Sequence, residues 1–201
     1  MTSSLRLGRQ AALPAFALSL LAPSVAIRCG LLPFDQRFEA LVIVSMLCIG
    51  LCVYEGFGVA DLGLARPWIA RHWLGCGAIT LLLAAGIALE TNFLDAAREP
   101  PDWSRFGPFY VLVSSPCQEV VCRSIPKLIT DRLSLSGGKY VLFSSTVFAL
   151  MHYAYGDTML LLNCFFAGLA WATAYLVTRN VWPLAASHAA VGMFAFWLGA
   201  A

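Results

Sequence analysis

Charge-free runs of apolar residues recur along this chain at 10–27, 40–54, 73–89, 106–118, 140–156, 158–178 and 180–201. A helix crosses a bilayer with about 20 mostly apolar residues, fewer where a buried polar residue or a snorkelling end extends it. The pattern therefore predicts an all-α fold, a polytopic transmembrane helical bundle of about seven helices. The loops between the runs are short, and the longest, about 91–106, contains the turn-forming Glu99-Pro100-Pro101-Asp102. No soluble domain fits between the runs, so residues 1–201 are expected to form a single membrane domain.

Three stretches refine this reading. The first run follows Arg6 and Arg9 as a cleaved leader would, but it is long and carries Pro14 and Pro23, so it is read as the first helix of the bundle. The segment 123–139, with Pro126, Lys127, Asp131, Arg132 and Ser136-Gly137-Gly138, reads as an amphipathic continuation lying along the cytoplasmic interface and ending in a turn. In Phe165–Tyr175, Gly168 and Ala172 stand four apart, a spacing of small residues that lets helix backbones approach closely. That helix is expected at the centre of the bundle.

Composition agrees with a lipid solvent: 60% of the 201 residues are hydrophobic and 12% charged, against roughly a quarter charged in soluble domains. Lys and Arg set the orientation. With the N-terminus cytoplasmic, that side holds Arg6, Arg9, Arg66, Arg71, Arg123, Lys127, Arg132, Lys139 and Arg179, whereas the other holds Arg28, Arg37, Arg98 and Arg105. The net charge of +2 thus reflects sidedness, and no basic cluster with interleaved aromatics points to nucleic acid. The expected setting is an integral membrane position, in a bacterial inner membrane. The seven cysteines fall mostly inside apolar runs, where cysteine behaves as a small hydrophobe. They read as neither a disulfide framework nor a metal site.

Ionisable residues inside membrane segments are expensive and mark function by default. Here they are Glu119, Arg123, His152 and His188. Glu119 and Arg123 share a helical face at i,i+4, and their structural reading is an ion pair that lets both charges enter the bilayer. At about 1.5 Å of rise per residue, Glu119 and His188 come to similar depths near mid-membrane, with His152 one to two turns shallower. Three helices can thus bring a carboxylate and two imidazoles to one cavity. Such a set can orient and deprotonate a water and donate to an oxyanion.

These residues also carry a family resemblance. Gln118-Glu119-Val120-Val121-Cys122-Arg123 is similar to the E-E-x-x-x-R motif of the CPBP family, which contains the Rce1-type CAAX prenyl endopeptidases and bacteriocin-processing proteins. Phe148-Ala149-Leu150-Met151-His152 matches its F-x-x-x-H motif, and Phe165 through Asn180-Val181-Trp182-Pro183 to His188 is similar to its last two motif helices. The resemblance spans about 108–192 as a catalytic core. It implies a metal-independent glutamic intramembrane endopeptidase without cofactors, acting near the C-terminus or leader of a membrane-associated peptide or protein. By it, Glu119 and His152 activate water, His188 helps hold the oxyanion, Arg123 is structural, and Gln118 and Phe148 support the site. A sorting-tail protease of the myxosortase type is one such reading.

Two positions depart from the family pattern. Its first glutamate is Gln118 here, and its asparagine or aspartate four residues after the last histidine is Gly192. Gln118 cannot act as a base. Alternatives therefore stay open: an inactive protein that binds peptide or lipid in the same cavity, a small transporter using the buried charges as an ion path, or a zinc site built from two histidines and a carboxylate. The last lacks an H-E-x-x-H motif.

Overall fold

The structure, a computed structural model, describes residues 20–65, 68–93 and 101–200. The expectations placed on 1–19, including Arg6 and Arg9, on Arg66, and on Asp95, Arg98 and the Glu99-Pro100 half of the predicted turn lie outside the described residues. Among those described there are seven helices and no strand. Helix α1 covers 20–28, α2 Arg37–Tyr54 and α3 Ala70–Thr91. Helix α4 is a continuous run of five segments, Trp103–Phe109, Tyr110–Ser114, Ser115–Glu119, Val120–Ser124 and Ile125–Arg132. Helices α5, α6 and α7 are Gly137–Met151, Thr158–Thr178 and Val181–Trp197.

The packing is that of a bundle in lipid, with apolar residues outside and small polar ones inside. Met46, Leu47, Leu74, Leu81, Leu82, Phe166 and Val177 are exposed on helix surfaces, whereas Ser45, Ser114, Ser115, Ser124, Ser144 and Ser145 are completely buried. Three helical stretches are long and apolar enough to cross a membrane by length and composition, Phe34–Tyr54, Ala70–Thr91 and Thr158–Thr178, and Val181–Trp197 is apolar but shorter. Helices α5 and α6 make the most extensive pairing. A Cβ at Gly168 would lie 2.9 Å from the Ser145 Cα, so the small residue permits the close approach that its spacing predicts.

Ion pairs tie alternate helix ends together. Arg132, ending α4, reaches Glu55 after α2 at 3.4 Å, and Arg179 after α6 reaches Asp131 at 3.4 Å. Lys127 also pairs with Asp131. At the opposite end Asn163 of α6 donates to Glu90 of α3 at 2.7 Å, and Ser24 of α1 donates to the Met151 carbonyl at 2.7 Å. That carbonyl belongs to the last turn of α5, where no intrahelical donor is available.

Helix α4 departs from a regular helix for a reason visible in its sequence. Proline has no N–H and its ring clashes with the carbonyl four residues earlier. Before Pro116 and Pro126 the backbone widens into π turns, with Ser115 N–H donating to the Tyr110 carbonyl and Ile125 N–H to the Val120 carbonyl. The intervening turn, Ser115–Glu119, holds Gln118 and Glu119 between the two widenings.

Two boundaries differ from the charge-free runs. The run 106–118 stops at Glu119, but α4 continues through the Glu119–Arg123 pair to Arg132, because the paired charges remain inside. Its end, Ile125–Arg132, continues the helix directly, as the sequence predicts, with Lys127, Ile129 and Thr130 buried. Conversely the run 140–156 is longer than α5, which ends at Met151 and gives way to the 3-10 turn Tyr153–Tyr155 and a left-handed Gly156 at φ 68°.

Candidate active site

Helices α4, α5, α6 and α7 each contribute to one buried cluster. Glu119 is fully buried, and both of its carboxylate oxygens are engaged. Oε1 lies 2.7 Å from His188 Nδ1, and Oε2 accepts from Arg123 Nε at 3.1 Å. Arg123, also fully buried, donates through Nη1 to Ser144 Oγ at 3.0 Å and stands over the Phe148 ring at 4.8 Å. A buried charge is tolerable only when paired and hydrogen-bonded, and these contacts meet that condition for the acid. The Arg123 Nη2 makes no hydrogen bond, and the guanidinium as a whole gains electrostatic support from the Phe148 ring beneath it.

Phe148 is the hub of the arrangement. Its ring meets His152 edge-on at 4.9 Å, His188 at 5.2 Å and Trp171 at 5.6 Å between centroids. Trp171 stacks on His188 at 4.7 Å with its indole N–H donating to Ser187 Oγ at 3.0 Å. The imidazole of His188 is thereby fixed in its plane by Trp171 and in its rotation by Glu119. His152, the C-cap of α5 and half-buried, has Nδ1 2.9 Å from the Phe148 carbonyl. A carbonyl only accepts, so Nδ1 carries the proton and Nε2 keeps its lone pair.

A cavity of about 100 Å³ lies against this cluster, lined among others by Tyr110, Gln118, Phe148, His152, His188 and Gly192. A water needs roughly 10–15 Å³ of such space, so the cavity holds several together with part of a ligand. Glu119 and Arg123 sit behind this wall. A second cavity, lined by Leu20, Ser24, Arg37 and Met151, shares Gln118 and His152 with the first.

The structure thus brings together every residue singled out from the sequence: Glu119, His188 and Arg123 in direct contact, Gln118, His152 and Phe148 on the cavity wall. The resemblance pairs Glu119 with His152, whereas the imidazole in contact with Glu119 is His188. Gln118 donates to Ser114 at 3.0 Å, one turn back on α4. Trp171, Ser144 and Tyr110 escaped the sequence reading. None is charged, and a search for ionisable residues in apolar runs passes over them. Among the described residues no group of three or more His, Cys, Asp or Glu side chains is arranged to hold a metal ion.

The geometry joins an Rce1-like motif set to one pocket, and comparison with known proteins bears on the same segment. Residues 100–194 match the family model for type II CAAX prenyl endopeptidase, Rce1-like. The CPBP resemblance is borne out. The matched Rce1-like segment, a little under half of the chain, runs from just before α4 into α7 and so includes Glu119, Arg123, His152 and His188. The matched family is one of CAAX prenyl endopeptidases, and the apolar helices are consistent with an integral membrane setting. No curated protein and no solved structure matches the chain.

Proposed function

We propose that this protein is a metal-independent intramembrane endopeptidase that cleaves near the C-terminus or leader of a membrane-associated peptide or protein. The observation that carries the reading is the Glu119–His188 contact at 2.7 Å behind a cavity that His152 also lines. A carboxylate bound to one imidazole nitrogen holds the ring in one tautomer and stabilises the charge that develops when the other nitrogen takes a proton. His188 Nε2 removes a proton from a cavity water as the water oxygen bonds to the scissile carbonyl carbon. When the C–N bond breaks, the same proton passes from His188 to the departing amine. His152 Nε2 accepts the water's other hydrogen and aims it. Glu119 here acts through His188, a shift from direct water activation that follows from both its oxygens being occupied.

Arg123 and Phe148 hold the acid and the two imidazoles in register, and Gln118 serves as a hydrogen-bonding wall residue. The catalytic core at 108–192 sits within a single membrane domain, in a bacterial inner membrane with the N-terminus cytoplasmic. The gathering of Lys127, Arg132 and Arg179 at one end of the bundle supports that sidedness, because segments rich in Lys and Arg remain inside.

A second reading rests on Gln118 and Gly192: a protein of the same build that binds a peptide or lipid without cleaving it. Purified protein in liposomes, incubated with membrane-anchored peptides bearing prenylated-cysteine tails or C-terminal sorting tails, separates the two by mass spectrometry of the products. The protease reading expects defined cleavage by wild type and a loss of about 10²-fold or more in Glu119→Gln and His188→Ala. Equal product from wild type and both variants would reject the site.

A further inference from the structure

Gly192 lies four residues beyond His188 on α7, on the same face, and both line the cavity. The space in which a side chain at 192 would sit is already filled. A Cβ built there overlaps the Tyr110 hydroxyl and comes within 2.7 Å of the ring carbons Cε1 and Cζ. Tyr110 therefore reaches across from α4 and places its hydroxyl against the α7 backbone, one turn from His188.

The ring is held there firmly. It stacks on Phe106 at 5.1 Å and meets Phe196 at 5.6 Å and His188 at 6.1 Å edge-on. Its own helix supplies the reach, because Tyr110 opens the π turn forced by Pro116. Such turns recur at functional sites because they re-aim a side chain.

We propose that the Tyr110 hydroxyl is the hydrogen-bond donor to the substrate carbonyl oxygen as it becomes an oxyanion. This inference rests on the hydrolytic reading given above and adds a residue to it. One helical turn is about 5.4 Å, so a tetrahedral centre lying between His188 and Tyr110 can present one oxygen to each. The imidazole takes the water proton, and the phenol donates to the former carbonyl oxygen while keeping its own proton. No other group is oxidised, reduced or consumed. A donor fixed by three aromatic rings needs no reorganisation when charge develops, which is where such groups contribute most to rate. Gly192 is then the residue that makes room for it.

Tyr110→Phe keeps the ring and its packing while removing the donor, so it tests the hydroxyl alone. In liposomes, kcat for a membrane-anchored peptide should fall by about 10²–10³-fold, with KM within about threefold and the thermal unfolding midpoint unchanged. Binding is the second measurement, using a peptide with a phosphinic group at the scissile position, whose anionic oxygens copy the tetrahedral centre, beside the plain peptide. Tyr110→Phe should loosen the phosphinic peptide by at least tenfold and leave the plain peptide alone. Wild-type kcat in Tyr110→Phe, alongside loss in Glu119→Gln, would overturn the role of Tyr110 and leave the protease reading standing. No cleavage by wild type, with the phosphinic peptide bound equally by wild type and Tyr110→Phe, would overturn both.

Discussion

The Glu119 carboxylate sits 2.7 Å from His188 Nδ1 and 3.1 Å from Arg123 Nε, with no exposed surface of its own. One acid thus neutralises a helix neighbour and orients a ring on another helix. Breaking a buried pair by removing one partner costs about 3–5 kcal/mol, whereas removing both can be nearly neutral. Arg123→Met is therefore expected to lower the denaturant midpoint in detergent micelles by that energy, and Arg123→Met combined with Glu119→Gln to recover most of it without recovering cleavage. A single Arg123→Met variant as stable as wild type would contradict the paired-charge account.

His152 caps α5, and its side chain is hydrogen-bonded to the Phe148 carbonyl. Losing that bond costs about 1 kcal/mol. His152→Ala should thus fold normally while cleavage falls by about 10²–10⁴-fold, measured as initial rates on a membrane-anchored peptide. Retained rates would remove His152 from the mechanism.

At Gly168 the α6 backbone touches α5 so closely that a Cβ would stand 2.9 Å from Ser145 Cα. Gly168→Ala should force the two helices apart and cost about 1–3 kcal/mol, read as a lower unfolding midpoint. The same substitution at the open Gly77, where a Cβ meets nothing within 4 Å, should have no such effect.

Pro116 forbids the ordinary hydrogen bond to Leu112 and widens the turn before Gln118 and Glu119. Pro116→Ala lets the turn tighten and shifts Tyr110 relative to the acid. A displacement of about 1 Å at a reacting group can cost about 10²-fold, so kcat should drop by that order while stability holds or rises. Unchanged kcat would show that the widened turn is incidental to the site.

The pair Arg132–Glu55 is a different case, because both side chains are about 30% exposed. Exposed pairs contribute about 0–1 kcal/mol. Arg132→Gln is expected to leave both midpoint and cleavage within error, a control that separates surface charge from the buried cluster.

Much of this arrangement is legible in the sequence. Apolar runs located the helices because lipid demands them, and Glu119, Arg123, His152 and His188 stood out because ionisable groups are rare there. Four things were hidden. The charge-free criterion cut α4 at Glu119, since it has no way to know that Arg123 compensates the charge one turn later. Depths along α4 assumed a regular helix, which Pro116 and Pro126 disrupt. The partner of Glu119 depended on which imidazole turns toward it, and that is decided by Trp171 stacking on His188 and by the Phe148 carbonyl holding His152. The departure at Gly192 was visible, but its meaning was not, because Tyr110 approaches from 82 residues away in sequence.

The bond from the Ser24 hydroxyl to the Met151 carbonyl makes the amino-terminal helix a brace for the residue next to His152. A truncated chain starting at α2 would retain each proposed reacting group, yet the final carbonyl of α5 would be stranded without its donor at the base of the imidazole. Shortening the protein from that side should therefore loosen the catalytic geometry before it removes any catalytic atom.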